Sequence, residues 1–582
     1  MASAVTSSLA KLNPFGSKGG KEDNDEKGET IGIESVAGGG HAARKSKITK
    51  DQLKVSKALR SFLVHEGVLS EQDAGLEADK PTAAIRELLD QPHIRVPREL
   101  VDRSRPLAEY FISSSHNTYL TAHQLYGEAD PVAYRIALST GSRCVEIDAW
   151  DNDDDKHEPK VTHGFTLASN VPFRRVCEVM RDVVDKEAAE GVAESGYAAA
   201  PIMLSLENHC SADGQLRLAQ IMREVWGDRL LSKRVRDRGT GEERGSGEQV
   251  TLAEMGSKLA VIVEYYFPNQ DVESDSEDDE QEGEAEAQAR EKYKKQKKEA
   301  PKEGIIPELA ELGVYAQSVK PRDQSWLEGE LVEGPHDHLI NVSESGLRSF
   351  MQKLSANISK HNAKHLMRVY PKGTRISSQN LHPVPFWGVG AQVCALNWQT
   401  FDAAMQLNEA LFAGTDGYVL KPAGLRSGGS GKLGVGKKKK LHLRVAGATD
   451  VPIPEDREGK DIKPYVTCTL HHPNDLANEP PKKKTAGYKQ HKLGVIHRGL
   501  NPPNKNPVYD ETLEWEYEDN ELTFLRILIK SDDSFAKNPV FAVAAVRLSY
   551  VVQGWTFIRM LDLKGRETHC TLLVKFDFED VL

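Results

Sequence analysis

The sequence of 582 residues has no apolar run that approaches the roughly 18 residues needed for a membrane-spanning helix. Its run Leu259–Val263 is far too short. The six cysteines are scattered and form no pair with metal-site spacing, and no N-terminal signal sequence is expected. These absences favour reduced thiols in the cytosol. They predict a cytoplasmic protein whose contact with any membrane is peripheral and reversible.

Most of the negative net charge comes from one short acidic segment. The formal charge is −11, but ten acidic residues fall between Asp271 and Glu286, so the rest of the chain is nearly neutral. Uniform repulsion from an anionic surface is therefore not expected. The chain is also too long for one hydrophobic core, and its 39% hydrophobic and 28% charged residues are typical of a multidomain globular protein with disordered segments.

Composition and periodicity divide the chain into segments. Residues 1–45 are rich in Gly, Ser and Lys and are predicted to be disordered. Residues 46–104 carry apolar residues at helical spacing but lack the Asp-x-Asp-x-Asp-Gly loop of a calcium-binding EF-hand, which predicts a small helical module without metal. Charged or Gly/Ser/Lys-rich stretches predict linkers at 268–306 and 427–440. Alternating strands without long helices predict an antiparallel β-sandwich over 441–582.

Between these segments, short strand-like runs alternate with helical or loop stretches. The count is eight, five before the charged insert and three after it, which predicts a split (β/α)8 TIM-like barrel with halves at 105–267 and 307–426. The runs are Phe111–Ser115, Cys144–Ala149, Lys160–His163, Ile202–Glu207, Leu259–Val263, Leu366–Tyr370, Gln392–Asn397 and Gly417–Leu420.

Polar side chains cluster at four of these strand ends. His116 follows the first strand, Glu146 and Asp148 share one face of the second, His163 ends the third and Glu207 lies on the fourth. Each has a simpler explanation, since a histidine at a strand end is often a surface residue and an acid pair is often salt-bridged. The carboxyl ends of barrel strands converge, however, so two histidines and three carboxylates there suit metal-assisted acid–base catalysis.

Several motifs resemble the X and Y catalytic boxes of eukaryotic phosphoinositide-specific phospholipase C: SSSHNTY, CVEIDAW, THGFT, LSLENHC, VYPKG, ALNWQT and GYVLKP. The layout resembles a delta-like enzyme of the short fungal or plant type, with an EF-hand-like helical module, no PH domain and a trailing C2 domain. The resemblance implies a calcium-dependent hydrolase in lipid signalling. Such an enzyme converts phosphatidylinositol and its phosphates into diacylglycerol and inositol phosphates through a 1,2-cyclic phosphate.

Residue roles follow from the same resemblance. His116 is implied to steady charge on the phosphorus, His163 to act as acid and then base, and Glu146 to help take the proton of the inositol hydroxyl. The remaining implied groups are the calcium ligands Asn117, Glu146, Asp148 and Glu207, the substrate-binding residues Arg368, Tyr370, Asn341 and Ser343, and the membrane rim of Leu125, Phe165 and Leu167.

The sequence departs from the family pattern at positions that contact ring phosphates. Ile262 and Glu264 stand where the animal enzymes have lysines, and Asn341 stands where a serine is expected. We expect a relaxed preference for the bisphosphate lipid, unless nearby lysines substitute. The C2-like segment keeps Asp461 and Asp533 but has Lys463 and Ser531 where Asp is common, so calcium binding there is not expected.

Two basic stretches, Lys437–Lys440 and Lys482–Lys484, are either contacts for anionic lipid headgroups or solvated charge runs. No nucleic-acid partner is expected, and the chain is predicted to be a monomer. Two other functions stay open: a catalytically inactive lipid-binding scaffold of the same fold, and a phosphodiesterase acting on other diesters. Filled histidine and ligand positions oppose the first, and Arg368, Tyr370 and the C2-like sandwich oppose the second.

Overall fold

The computed structural model describes most of the chain between residues 48 and 581, together with a short N-terminal piece. The described residues are 24–26, 29, 48–78, 80–120, 129–162, 170–192, 196–236, 249–267, 304–328, 331, 333–372, 379–434, 436–454, 457, 462–475, 479–491, 501–532 and 539–581.

Helices and strands alternate up to residue 420, and strands predominate after it. The helices in the described part are α1 Lys57–His65, α2 Glu71–Ala74, α3 Ala83–Asp90, α4 Val132–Ser139, α5 Phe173–Ala189, α6 Ala212–Trp226, α7 Leu252–Met255, α8 Pro307–Ala310, α9 Glu344–Asn362, α10 Val384–Gly388 and α11 Ala403–Phe412. The strands up to residue 420 are β1 Tyr110–Ile112, β2 Ser115–His116, β3 Cys144–Trp150, β4 Lys160–Val161, β5 Val171–Pro172, β6 Ile202–His209, β7 Leu259–Tyr265, β8 Gln317–Val319, β9 His338–Ser343, β10 Leu366–Tyr370, β11 Val393–Cys394, β12 Leu396–Asn397 and β13 Tyr418–Leu420.

The first sheet closes into the predicted barrel. Its parallel strands follow the order β1, β11, β10, β9, β8, β7, β6, β3, and β2 continues β1 as β12 continues β11. A parallel bridge from Ser114 to Cys144 closes the circle between β1 and β3. The carboxyl ends of these strands therefore meet at one mouth, where barrel enzymes carry their active sites.

The predicted five-plus-three division of strands was wrong. Lys160–Val161 pairs antiparallel with β3, and Tyr418–Leu420 pairs antiparallel with β1, so neither belongs to the parallel barrel. The missing members are β8 and β9, which gives four parallel strands on each side of the charged insert. Strand direction comes from hydrogen-bond pairing over long range, and residue composition does not encode it.

A sandwich of eight antiparallel strands follows, as predicted. Its order is β16, β15, β18, β19, β20, β21, β14, β17, and only the Val543–Leu561 pair joins β19 to β20. The strands are β14 Lys438–Thr449, β15 Pro464–His471, β16 Lys482–Lys484, β17 Val508–Glu518, β18 Phe524–Ser531, β19 Val540–Arg547, β20 Gly554–Leu561 and β21 Glu567–Val581.

The helical module packs on the outer face of this sandwich. Phe62 of α1 meets Trp555 edge-on, with ring centroids 5.2 Å apart, and the Arg444 guanidinium lies over both rings. Arg444 also donates to both carboxylate oxygens of Glu66. Apolar contact and a two-point ion pair thus attach the module to the sandwich.

Some segment boundaries differ from the predictions. Most of the predicted linker at 268–306 lies outside the described residues, but Ile305 and Ile306 pack against the apolar core beneath the barrel helices. Strand β14 already begins at Lys438, inside the second predicted linker. Within the segment predicted to be disordered, residues 24–26 form a 3₁₀ turn in which Asp25 is buried.

Two further features concern the helices and the cysteines. Among the residues that the structure describes, no helix is both long and apolar enough to cross a bilayer. All six cysteines are buried and carry free thiols.

Three histidines gather at the opposite, amino end of the barrel strands. The Nε2 atoms of His338 and His361 lie 2.9 Å apart, and the His338 ring stacks on His365 with centroids 4.0 Å apart. Burial lowers the pKa of His361 to about 3, and burial followed by the charge of His338 lowers that of His365 to about 2. These side chains are therefore neutral in the folded protein at neutral pH.

We expect this cluster to make the protein sensitive to acid. The unfolded chain binds protons near pH 6.5 and the folded cluster does not, so the contribution of this cluster to the free energy of unfolding is constant above pH 6.5 and falls below it, by about 1.4 kcal/mol per pH unit for each buried histidine. His361→Gln should flatten the decline between pH 6 and pH 4 in thermal-unfolding scans, whereas the exposed control His569→Gln should not. Parallel pH profiles for His361→Gln and the wild type would contradict this assignment.

Candidate active site

The register of the strands places the predicted polar residues opposite one another at the barrel mouth. Asp148 of β3 pairs across from Glu207 of β6, and Arg368 of β10 pairs across from Asn341 of β9. Because side chains alternate along a strand, Glu146 shares the face of Asp148. The barrel thus brings together residues that are far apart in the sequence, such as Glu146 and Arg368, which lie 222 positions apart.

Glu146 is the hub of this cluster. Its side chain is 1% exposed, and its carboxylate accepts hydrogen bonds from the Arg368 guanidinium and, at 2.8 Å, from the backbone N–H of Asn117. Burial is the main cause that raises the pKa of Glu146, opposed by the charge of Arg368 and assisted by that of Glu207, and the result is about 8. Burial raises the pKa of neighbouring Glu207, but the charge of Arg368 outweighs it and lowers that pKa to about 2, so of these two acids Glu146 is the one that holds a proton at neutral pH.

Asp148 shows that the cluster is prepared for a cation. Its Oδ2 accepts a 2.8 Å hydrogen bond from the Tyr119 hydroxyl, whereas its buried Oδ1 has no hydrogen-bond partner. Tyr119 also lies 3.1 Å from Asn117 Oδ1, which ties two predicted ligands together. Burial and the charges of Glu207 and Glu146 raise the pKa of Asp148 well above its usual value. An orphaned buried carboxylate oxygen is costly without a cation or proton.

Ligand atoms of Asp148, Glu207 and His209 lie within 4.8 Å of one another. Oxygen ligands of this kind suit a hard cation such as Ca²⁺, so the residues present fit a metal ion. His209 was missed by the sequence analysis, although the motif LSLENHC contains it. Its ring stacks on Trp150 at 4.2 Å, which holds it beside the carboxylates.

His116 lies on the same side of the cluster. Its Nδ1 donates to Asn397 Oδ1 at 2.9 Å, and its Nε2 lies 3.9 Å from Glu146 Oε2. Asn397 is itself held by Asn380, whose side chain bonds both its N–H and its carbonyl. The two asparagines fix which imidazole nitrogen faces the cluster. Neither was predicted, although Asn397 stands in the motif ALNWQT.

The four predicted substrate-binding residues have different surroundings. Arg368 is 2% exposed and contacts Glu146 and, at 3.1 Å, Asn341 Oδ1, and it lies 5.8 Å from the Tyr370 ring centroid. Ser343 caps α9 by accepting from Gly346 N–H at 3.2 Å. Arg368, Asn341 and Tyr370 thus stand together, and the Ser343 hydroxyl acts locally in the helix cap.

Glu264 points toward the same cluster, and Ile262 does not. Ile262 is 1% exposed among apolar residues inside the barrel. Glu264 Oε2 accepts from Asn208 N–H at 3.2 Å. Burial, followed by the charge of Glu207, raises the pKa of Glu264 to about 7, although Lys320 acts in the opposite direction.

Comparison with known proteins agrees with this arrangement. Residues 103–264 match the phosphatidylinositol-specific phospholipase C X domain, residues 309–424 match its Y domain, and residues 439–563 match a C2 domain. The chain belongs to the phosphatidylinositol-specific phospholipase C family.

Similar proteins come from animals, from the fungus Candida albicans and from Dictyostelium discoideum. The 1-phosphatidylinositol 4,5-bisphosphate phosphodiesterase delta-3 of Mus musculus is 34% identical over 474 residues, which are 80% of this chain and 55% of that protein. The 1-phosphatidylinositol 4,5-bisphosphate phosphodiesterase 1 of Candida albicans is 30% identical over 82% of this chain and 48% of its own length. The chain thus spans about half the length of these relatives.

A solved structure shares the phospholipase C fold. The crystal structure of L. pealei PLC21 superposes with a TM-score of 0.67 over 93% of this chain and 65% of that chain, at 24% sequence identity. At this level of identity the likeness concerns the fold alone.

Several predicted residues lie outside the described part of the chain. They are His163, the rim residues Leu125, Phe165 and Leu167, and Asp461 and Asp533 of the C2 domain. Thr162, the last described residue before His163, donates its N–H to the Asp148 carbonyl at 3.3 Å. Lys463 and Ser531 are adjacent, with Lys463 N–H bonded to Ser531 Oγ at 3.1 Å.

We expect the affinity of the site for Ca²⁺ to depend on pH, because Glu146 is protonated in the metal-free protein at neutral pH. Ion binding requires Glu146 to lose a proton that it holds up to about pH 8, so calcium affinity should rise with pH through the neutral range. One proton released per ion gives about a tenfold gain from pH 6 to pH 7. Calorimetric titration with Ca²⁺ in buffers of different ionisation enthalpy measures both the affinity and the proton count. Equal affinities at pH 6 and pH 8 would refute this prediction.

Proposed function

We propose that this chain is a calcium-dependent phospholipase C that cleaves phosphoinositides into diacylglycerol and a phosphorylated inositol. The observation that carries the proposal is the single cluster in which His116 and an incompletely bonded carboxylate set meet around Glu146. The printed names of the relatives, 1-phosphatidylinositol 4,5-bisphosphate phosphodiesterases, support the same reaction class.

His116 acts on the phosphate in this proposal. Because its Nδ1 proton is committed to Asn397, Nε2 is the atom that faces the cluster, and in the doubly protonated imidazolium this Nε2–H donates to a phosphate oxygen. Charge on the five-coordinate phosphorus is thereby stabilised where it develops. Glu146 stands 3.9 Å from the same Nε2 and accepts the proton of the inositol 2-hydroxyl as that oxygen attacks the phosphorus.

The expected ligands of Ca²⁺ are Asn117, Glu146, Asp148 and Glu207, and His209 lies beside them. The bound ion supplies neutralisation of phosphate charge and acidification of the attacking hydroxyl. His163 completes the scheme by resemblance: it protonates the departing diacylglycerol oxygen and then deprotonates the water that opens the cyclic phosphate. Arg368 and Tyr370 contact the inositol headgroup in the same scheme.

Binding to the membrane surface is the second part of the proposal. The rim residues Leu125, Phe165 and Leu167 enter the lipid, and anionic headgroups meet the basic stretches. One of these stretches is already engaged, since Lys438, Lys439 and Lys440 pair with acids of or beside β17 at 2.7–3.0 Å. In the other stretch Lys482 pairs with Asp25 at 2.9 Å, so the exposed Lys483 and Lys484 are the better candidates for contact with headgroups.

The reaction is tested with labelled phosphatidylinositol vesicles. The purified chain should release water-soluble inositol phosphate with Ca²⁺ and none with a chelator. Binding to vesicles without release at any calcium concentration would instead favour the inactive scaffold. Release from a glycerophosphodiester but not from inositol lipid would favour the other phosphodiesterase.

Glu264 is expected to weaken the preference for the bisphosphate lipid. A carboxylate near the ring phosphates repels them, and a missing cationic partner costs on the order of 2–5 kcal/mol. Kinetics on phosphatidylinositol, its monophosphate and its bisphosphate should give comparable kcat/KM values for the wild type. Glu264→Lys should raise the ratio of bisphosphate to phosphatidylinositol at least about tenfold.

The matched control for this change is Glu71→Lys on exposed α2, which alters the net charge equally and should leave the ratio unchanged. A hundredfold preference of the wild type for the bisphosphate would contradict the prediction. That outcome would assign the ring phosphates to Lys320, the cation that acts on Glu264.

A further inference from the structure

A cluster of cationic side chains lies where the C2 sandwich meets the barrel, far along the chain from the catalytic residues. Strand pairing places Lys482 of β16 and Arg526 of β18 on either side of Thr469 of β15, with Lys530 farther along β18. Arg526 reaches the barrel, where its Nε donates to Gln406 of α11 at 2.6 Å. We refer to Lys482, Arg526 and Lys530 as the cationic corner.

The corner contains charge that is withdrawn from solvent. Arg526 is 2% exposed and Lys530 3% exposed. Buried cations are expensive unless an anion and hydrogen bonds compensate them. His471 lies beside the corner and has a buried Nε2 without a hydrogen-bond partner. Burial, followed by the nearby charges of His382, Arg526 and Lys482, lowers the pKa of His471 well below its usual value. The chemistry of the corner therefore calls for an anionic acceptor.

The described N-terminal turn supplies that acceptor. Asp25, 2% exposed, bonds Lys482 Nζ through Oδ2 at 2.9 Å and Lys530 Nζ through Oδ1. Its backbone carbonyl accepts from Arg526, and Glu26 lies 3.4 Å from the same guanidinium. One carboxylate thus bridges two ammonium groups separated by 48 positions of the C2 sequence.

The described contacts of residues 24–26 and of Glu29 are polar. Farther along, Glu29 donates its N–H to Leu563 O at 3.4 Å and accepts from Phe401 N–H at 3.3 Å. Residues 24–26 contribute no apolar side chain to any core. A segment held by charge and hydrogen bonds exchanges readily with another anion that offers the same acceptors.

We propose that the cationic corner is a binding site for a phosphate monoester, and that Asp25 occupies it as an internal ligand. A phosphate group offers up to two charges and three acceptor oxygens, which match two ammonium groups and a guanidinium better than one carboxylate does. Binding of the phosphate displaces residues 24–26, so the N-terminal segment and the ligand exclude each other. The ligand is carried by a lipid headgroup or by a soluble inositol phosphate.

The test measures binding to the full chain in a calcium chelator, so it does not depend on catalysis. The variant Asp25→Asn/Glu26→Gln frees the corner and should bind inositol trisphosphate about tenfold more tightly than the wild type. Adding Lys482→Met, a change at a partly exposed position, should erase that gain. The control Glu71→Gln/Glu87→Gln removes two exposed acids from the helical module and should leave affinity unchanged.

Vesicles containing phosphatidylinositol 4,5-bisphosphate form the second arm. If Asp25→Asn/Glu26→Gln binds both probes more tightly than the wild type does, a free phosphate is sufficient. If its affinity rises for vesicles alone, the ligand is the lipid headgroup. Displacement itself is read from hydrogen exchange of the Phe401 amide in the wild type, which should accelerate when the phosphate binds. Equal affinities of wild type and Asp25→Asn/Glu26→Gln for both probes, or an unchanged Phe401 amide, would overturn the proposal.

Discussion

Replacing His116 with alanine is expected to lower kcat on phosphatidylinositol vesicles by about 10²–10³, with little change in thermal stability. The imidazole is partly exposed at the barrel mouth, and its Nε2 faces Glu146. Loss of one donor aimed at developing charge costs about 2.7–4 kcal/mol of transition-state stabilisation. Initial rates at saturating vesicle concentration, with unfolding scans of the same samples, measure the two quantities separately.

The residues that orient His116 offer a graded comparison. Asn397→Ala removes the acceptor of the Nδ1 proton and should reduce kcat less than His116→Ala does. Asn397→Asp keeps an acceptor and adds a charge that raises the pKa of His116, so the pH–rate profile should shift upward. His569→Ala, at an exposed position of β21, is the matched control. A near-normal kcat for His116→Ala would remove this residue from the mechanism.

Replacing Asp148 with asparagine should abolish the response to calcium while stabilising the metal-free protein. The folded state raises the pKa of Asp148 well above its usual value, so without an ion the folded protein loses stability as pH rises above about 4. A neutral side chain removes this loss. At pH 7 in a chelator the variant should melt at a higher temperature than the wild type, and Ca²⁺ should no longer raise it.

The loss of the calcium response is expected because Asp148 supplies an oxygen that is available to the ion. Asp148 Oδ1 has no hydrogen-bond partner, so it can bind a cation without breaking an existing bond. Activity at saturating Ca²⁺ should fall at least about 10²-fold, because phosphate charge is no longer neutralised. Differential scanning with and without Ca²⁺ gives the stability difference, and vesicle assays give the rate.

Asp402→Ala is the contrasting change. Asp402 is buried too, but it caps α11 by accepting from Met405 N–H and also bonds Asn380. Its removal should cost about 1–2 kcal/mol with or without Ca²⁺, and the increment due to Ca²⁺ should stay intact. If Asp148→Asn keeps the full calcium increment, the ion is held by other residues.

Residue patterns predicted some strands and missed others for physical reasons. The runs at 202–207 and 366–370 are apolar and buried, so their periodicity is strong. Strand β8 has only three residues, and β9 carries His338, Asn341 and Ser343, so neither shows an apolar run. Lys160–Val161 has strand-like residues, but its antiparallel partner is chosen by loop geometry.

The candidate site divides in the same way. Its chemical components could be read from short motifs, because carboxylates on one strand face and histidines at strand ends are local features. Asn397, which accepts a hydrogen bond from His116, and His209, which lies beside Asp148 and Glu207, also stand in these motifs. Their roles could not be predicted, because they depend on which side chains lie beside them in the fold. The engagement of Arg368 by Glu146 joins positions 222 residues apart and has no local signal.

The amino-acid sequence by itself predicted a barrel split by a charged insert, followed by an antiparallel β-sandwich, with acids and histidines at strand ends. These features follow from local composition and periodicity. Only the tertiary structure decided the four-plus-four strand order, the unsatisfied oxygen of Asp148 and the burial of Asp25 in the cationic corner. Each of these depends on contacts between distant segments, where packing and desolvation set the energy of a charge.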